Sequence, residues 1–274
     1  MGRQIGLNTA IYGCEVKVCE TNPAARQNLA AWEDEYLAGR IAKGRMTEEQ
    51  VAEIRSRFSI TGDLAEATAD ADIVIEAIIE DRKAKEECLT AVSRLVRPDT
   101  VIATNSSYMV SSLFAGTVEH PERLANLHYF MPALVMKLVE VVKGPHTSDA
   151  TVEKLMEFAR STGKTPVLVR KEEDGFIVNN VLKAIKEEAY RLVSQGVCSV
   201  EDLDKAVELG LGHPMGPFKI DDMNGLDLRL SVLKRREEET GVRSYGYEMI
   251  EQLVSEGKLG RKSGAGFYEY NEKK

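Results

Sequence analysis

The chain has 274 residues, 43% hydrophobic and 29% charged, which is enough for two compact domains with a sizeable core. Its 36 Lys and Arg against 44 Asp and Glu leave a net charge of −8, which argues against a general nucleic-acid binder. No apolar run approaches the roughly 20 residues that cross a membrane and no secretory pattern opens the chain; Cys14, Cys19, Cys88 and Cys198 form no CxxC pair, so a cytoplasmic setting without structural disulfides or bound metal is expected.

The opening "MGRQIGLNTAIYG" reads as a helix, and "EVKVCE" after it as a strand closed by Glu20. Next comes a helical pair over about 22–57. Its first member has Asn22 as N-cap and Pro23 at the first helical position, and Thr47 with Gln50 makes a capping box for the second. "RFSIT", "DADIVIEAI" and "TVIAT" are short Ile- and Val-rich runs typical of buried parallel strands, with the helical "DRKAKEECLTAVSRLV" before the last. "LANLHYF", "LVEVV" and "TPVLV" add strands, and "SDATVEKLMEFARSTG" a helix. This alternation predicts a doubly wound α/β sheet over residues 1–172. Beyond Lys171 almost every segment is helical, so 173–274 is read as an all-helical domain. Its first helix carries Ile177, Val181 and Ile185 at i, i+4 and i+8, the spacing of one apolar face.

Several residues on this frame can carry chemistry. A dinucleotide-binding unit runs strand, G-x-G-x-x-G, helix, strand and then an acid for the ribose hydroxyls. Here only the final glycine, Gly2, and the acid, Glu20, have counterparts. Taken alone these are an ordinary helix start and a solvated strand end. "ATNSSY" leaves a strand at the carboxyl edge of the sheet, where ligands bind in such folds, although Asn105, Ser106 and Ser107 also suit a plain turn. His128 ends one strand and Glu140 lies twelve residues on, in the returning strand. A hairpin of this kind can join imidazole and carboxylate, giving a base whose tautomer and cationic form the acid supports. Most strand-end histidines are merely buried and satisfied. Asn179, among Ile177, Val178 and Val181, suits a buried polar role. "GRIAKGR" gathers Arg40, Lys43 and Arg45 into a local basic segment on an acidic chain, able to attract a phosphate-bearing ligand.

In order along the chain, "IEAIIEDRKAKEECL", "VIATNSSY", "LANLHYFMPALVMKLVEVVKGPHTSDATVEKLMEFARSTGKTPV", "DGFIVNNVLKAIKEEAYRLVSQG", "DLDKAVELGLGHPMGPF" and "GKLGRKSGAGFYEY" resemble the 3-hydroxyacyl-CoA dehydrogenase family, on its bacterial 3-hydroxybutyryl-CoA branch. The resemblance covers essentially the whole chain and is most specific from His128 to Gly144. It implies a Rossmann-type domain followed by a helical domain that carries a homodimer contact. It also implies hydride transfer between NAD and an L-3-hydroxyacyl-CoA, here of short acyl chain. His128 and Glu140 match the family's catalytic pair. Ser107 matches the residue that contacts the reacting oxygen and the cofactor, and Asn179 one that hydrogen-bonds the substrate. Gly2, Glu20, Glu80, Lys85 and Lys262 match cofactor contacts, with the Glu20 charge favouring NAD over NADP. Lys43 matches a contact to coenzyme A. Tyr36 stands where relatives place a serine contact, which is not carried over.

Departures from the family pattern bear on specificity. "HYFMP" places Met131 where an amide is usual beside the histidine, Asp174 replaces a proline, Asn180 replaces an arginine, and "TNSS" stands for "NTSS". The opening aligns with the second half of the glycine-rich turn, about one strand and two glycines short, for which a start at an internal methionine is the simplest expectation. Two alternatives stay open: the same chemistry on a free hydroxy acid, as in L-gulonate or carnitine dehydrogenases, and a homologue impaired in cofactor binding.

Overall fold

The computed structural model describes residues 1–270. The chain divides into two compact units, Met1–Ile177 and Val178–Lys274. The division falls a little beyond the expected 172/173 boundary. Phe176 belongs to a cluster with Val142 and Val169 of the first unit, and the Ile177 N–H donates to Glu140.

In the first unit, α1 (Gly2–Ile11) leads into β1 (Val16–Cys19), then α2 (Pro23–Ala42), α3 (Glu48–Ser56) and β2 (Phe58–Thr61). Local chemistry sets these boundaries. The Asn22 side chain accepts from the Ala24 and Ala25 N–H groups, and the Thr47–Gln50 capping box closes in both directions. Each such cap contributes about 1 kcal/mol. The short α4 (Leu64–Thr68) precedes β3 (Ile73–Glu76), α5 (Arg82–Leu95), β4 (Val101–Thr104), β5 (Leu124–Tyr129), β6 (Leu138–Val142), α6 (Asp149–Ser161) and β7 (Thr165–Val169).

The strands lie in two sheets rather than the single one expected. β1 pairs parallel with β2, and β3-β4-β5-β6-β7 form the other sheet, in which only β5 and β6 run antiparallel. Packing of α1 joins the two sheets where strand pairing does not. Its Ile5 lies in the cluster of Val101, Ala103, Leu127 and Val141, while Leu7 and Ala10 lie in the cluster of Leu37, Ile54 and Phe58. The approach is close. A Cβ added at Gly6 would sit 2.9 Å from a Val18 methyl, so any larger residue would push α1 off β1. Burying each Leu, Ile or Val of these clusters contributes roughly 1.5–3 kcal/mol.

The second unit holds α7 (Val178–Ser194), α8 (Val200–Leu211), α9 (Pro217–Asn224), α10 (Leu226–Thr240) and α11 (Tyr247–Ser255) around Tyr190, Phe218, Leu226, Leu233 and Ile250. Buried carboxylates pin it. Asp204 accepts the Phe218 and Lys219 N–H groups at the start of α9, and Asp222 accepts those of Phe267 and Tyr268. The expected apolar face of α7 is not its buried one. Ile177, just before the helix, and Val181 are exposed and Ile185 is half-buried, and the helix instead buries Lys186, Ala189 and Tyr190. A large aromatic and an ion pair to α9 outweigh the isoleucine–valine stripe.

Candidate active site

The carboxyl ends of β3, β4 and β5 lie side by side because these strands are parallel, and the functional side chains gather there. The antiparallel register of β5 and β6 sets His128 directly opposite Glu140. His128 Nδ1 lies 2.8 Å from Glu140 Oε2, with both residues almost wholly buried. The second oxygen, Oε1, accepts the Ile177 N–H at 3.0 Å. A carboxylate on Nδ1 takes that nitrogen's proton as a hydrogen bond and leaves the Nε2 lone pair on the far side. Ser107 Oγ lies 3.0 Å from Nε2 and can donate to it.

Aromatic packing holds the imidazole plane. The Phe130 and Phe176 ring centroids lie 4.6 and 5.4 Å from that of His128, both tilted. Phe176 has a left-handed backbone at φ 52°, which costs a residue with a Cβ roughly 1–2 kcal/mol. The chain thus holds a strained position where a phenyl ring meets the histidine.

The turn after β4 is tied down on several sides. Asn105 Oδ1 accepts the Tyr129 N–H at 2.9 Å, linking the turn to the end of β5. Glu80 Oε1 accepts both the Ser106 hydroxyl and the Ser107 N–H. Partial burial pushes the Glu80 carboxyl up, but the Ser106 hydroxyl and the Lys85 ammonium outweigh it and hold the group below the usual carboxylate range. Lys85 is itself 1% exposed, 2.8 Å from Glu76 and 3.3 Å from Glu80. A cavity opens in front of this turn, lined by Met1, Ala77, Ile78, Lys85, Asn105 and Ser107 among others.

The structure brings His128, Glu140, Ser107, Glu80 and Lys85 into one connected network. Gly2 begins α1 next to Ala77, at the edge of the cavity, and no side chain caps this helix start. Uncapped N–H groups at a helix N-terminus suit a phosphate, so the residues here fit a dinucleotide. Glu20 ends at the carboxyl side of β1, with a carboxylate oxygen on the Asn22 N–H at 3.0 Å. Lys43 is the exposed C-cap of α2. In the other unit, Asn179 lies half-buried in the first turn of α7, and Lys262 holds both oxygens of Asp227 at 2.6 Å. Among the described residues no cluster of His, Cys, Asp and Glu could hold a metal ion, and no helix is long and apolar enough to cross a membrane.

Sequence reasoning passed over Glu76, Thr104, Phe130 and Phe176. Glu76 did leave a signal, as a charge closing the apolar run "IVIE". Phe176 left none, since its conformation shows only in the backbone.

Comparison with known proteins places both parts of the chain in one family. Residues 1–173 match the family model described as 3-hydroxyacyl-CoA dehydrogenase, NAD binding domain, and residues 175–270 the one described as 3-hydroxyacyl-CoA dehydrogenase, C-terminal domain. A probable 3-hydroxybutyryl-CoA dehydrogenase of Bacillus subtilis is 38% identical over 274 residues, covering 100% of this chain and 95% of that protein. The 3-hydroxybutyryl-CoA dehydrogenase of Clostridioides difficile is 34% identical over 99% of this chain and 96% of its own length. The crystal structure of an (S)-3-hydroxybutyryl-CoA dehydrogenase from Ralstonia eutropha superposes with a TM-score of 0.89 at 32% identity, covering 99% of this chain and 96% of that one. With both of its units matched end to end and its histidine–glutamate pair formed, this chain belongs to the 3-hydroxyacyl-CoA dehydrogenase family.

Proposed function

We propose that this protein interconverts L-3-hydroxyacyl-CoA and 3-ketoacyl-CoA of short acyl chain, 3-hydroxybutyryl-CoA being the natural first substrate to try. The observation that carries this reading is the buried His128–Glu140 pair with the Ser107 hydroxyl on the free side of the ring. When bound, NAD would supply the hydride chemistry, as acceptor in one direction and donor in the other. In the oxidative direction His128 Nε2 takes the proton of the substrate hydroxyl, and the Glu140 carboxylate stabilises the imidazolium that results. Ser107 donates to the reacting oxygen and fixes its distance from Nε2. In the reductive direction the same imidazolium returns the proton.

For the cofactor we assign the α1 start at Gly2 to the pyrophosphate and Glu20 to the ribose hydroxyls. Glu80, Lys85 and Lys262 complete the cofactor contacts, with Lys85 acting mainly by holding Glu80 in place. Lys43 meets the phosphates of coenzyme A, and Asn179 hydrogen-bonds the acyl-CoA. Met131 is 67% exposed and follows the His128 strand, so its thioether offers an apolar surface where relatives carry an amide. We assign the protein to the cytoplasm as a homodimer that associates through its helical domain. Leu209, Leu211 and Leu228, all well exposed on that unit, support such a contact.

The test compares NADH formation from L-3-hydroxybutyryl-CoA with that from free 3-hydroxybutyrate, L-gulonate and carnitine, alongside calorimetry of NAD binding. Turnover confined to the CoA ester with micromolar NAD affinity is expected. Equal turnover of a free acid overturns the substrate assignment, and absence of NAD binding overturns the enzymatic reading.

A further inference from the structure

We propose that Glu76 is a positioning residue for this reaction, holding by two separate hydrogen-bonded routes the Ser106–Ser107 turn whose hydroxyl meets His128. The inference rests on the roles given above to His128 and Ser107. Glu76 closes β3 with a side chain that is 0% exposed, and it does not itself line the cavity.

On the first route, Glu76 Oε2 accepts the Thr104 hydroxyl at 2.6 Å, and Thr104 Oγ1 in turn accepts the Ser106 N–H at 3.2 Å. On the second, Glu76 Oε1 accepts Lys85 Nζ at 2.8 Å and the Ile78 N–H at 2.7 Å. Lys85 then reaches Glu80 Oε2 at 3.3 Å, and Glu80 Oε1 accepts the Ser106 hydroxyl together with the Ser107 N–H at 3.2 Å. Ser106 Oγ also accepts the Met109 N–H at 2.8 Å, which closes the turn. Both routes therefore start at one carboxylate and end on adjacent residues, and the next contact outward is Ser107 Oγ to His128 Nε2 at 3.0 Å.

Stability alone does not account for this arrangement. A buried carboxylate–ammonium pair is commonly no more stabilising than apolar residues of the same volume. A fully satisfied buried network does, however, specify one arrangement of its members. Here the member so specified is the turn that carries a hydroxyl to the base. Glu80 shows why an anchor matters. Its side chain is 42% exposed and open to other rotamers, whereas Lys85, held from behind by Glu76, ties it to the serines.

Glu76→Gln tests this without changing side-chain volume. Lys85, the Ile78 N–H and the Thr104 hydroxyl all donate to Glu76, so an amide must turn its own N–H₂ toward one of them and one route loses its acceptor, while the charge that holds Lys85 on the second route is removed as well. The expected result is a kcat lower by about 10- to 100-fold, as a displacement near 1 Å produces, with the KM for 3-hydroxybutyryl-CoA close to wild type. In the ligand-free protein, the NMR signals of the His128 ring nitrogens, assigned by their loss in His128→Gln, should move toward the positions they take in Ser107→Ala. Thr104→Val cuts only the first route and should move both readouts the same way by less. A lower melting temperature with kcat and ring signals at wild-type values overturns the proposal. Should Glu76→Gln fail to fold, Thr104→Val decides it by the same ring signals. These signals are read without substrate, so a wild-type protein inactive on the CoA ester would sink the dehydrogenase reading while leaving the role of Glu76 to be decided separately.

Discussion

Replacing His128 by glutamine lowers kcat for 3-hydroxybutyryl-CoA oxidation by about two to four orders of magnitude, the range a positioned general base supplies. NAD binding measured by calorimetry stays near wild type. Glutamine fills most of the volume between Phe130 and Phe176 and can still donate an N–H to Glu140, so the pocket keeps its shape. What it lacks is a nitrogen able to take a proton on the Ser107 side. The companion substitution Glu140→Gln separates proton transfer from its support. The carboxylate accepts from His128 on one oxygen and from the Ile177 N–H on the other. An amide offers only one acceptor, so it sets its N–H₂ against one of these donors. Leaving a buried donor unpaired costs about 1–3 kcal/mol, and the charge that stabilised the imidazolium is gone as well. Glu140→Gln should therefore lose both activity and melting temperature, whereas His128→Gln loses activity with little change in melting. A His128→Gln enzyme that turns over at the wild-type rate removes His128 from its role as base.

The sequence disclosed those parts of the molecule that depend on neighbours along the chain. Asn22, Pro23, Thr47 and Gln50 predicted two helix starts because capping is settled within three residues. The separation of His128 and Glu140 was visible as two strands with a return between them, and the observed register makes them partners. Long-range polar geometry was not visible. Ser107 meets His128 across 21 positions and Glu76 meets Thr104 across 28, and no periodicity encodes such contacts. Strand-end position marked Ser107 and only the family resemblance gave it a role, while Glu76 showed as no more than a charge closing an apolar run. Periodicity also misjudged α7. Of the Ile177, Val181 and Ile185 stripe the first two are exposed and the third is half-buried, while the charged Lys186 is buried. A lysine reads as surface until its partner is known, and that partner, Asp221, lies 35 residues away on another helix.

That same pair carries the largest stability effect expected in the helical unit. Asp221→Ala should destabilise it by about 3–5 kcal/mol, the usual cost of leaving one charge of a buried pair uncompensated. Asp221 accepts Lys186 Nζ on Oδ1 and the Tyr190 hydroxyl at 2.7 Å on Oδ2, and the Arg229 guanidinium stands 3.6 Å from Oδ2. Tyr190 has no room to turn away. It packs edge-on against Phe218, and a Cβ added at Gly246 would fall 2.1 Å from its ring. The vacated site thus keeps two cations and a hydroxyl whose partner is lost. The pH dependence gives a second signature. Burial pushes the Lys186 pKa down and Asp221 opposes that shift, so the variant's folded-state pKa falls further below the roughly 10.4 of an exposed lysine. Between those two values the unfolded chain binds more protons than the folded one, so stability rises with pH. The deficit should be full below the folded-state pKa and shrink as pH climbs from it toward the exposed-lysine value. Adding Lys186→Met to Asp221→Ala should recover part of the loss, because the more buried of the two stranded charges is then gone. Denaturant unfolding followed by near-ultraviolet dichroism of the unit's tyrosines measures this. The lone tryptophan, Trp32, lies on α2 in the other unit and reports whether that unit is left intact. An Asp221→Ala protein within about 1 kcal/mol of wild type, or a deficit that deepens with rising pH, would show that the buried ion pair does not hold these helices together.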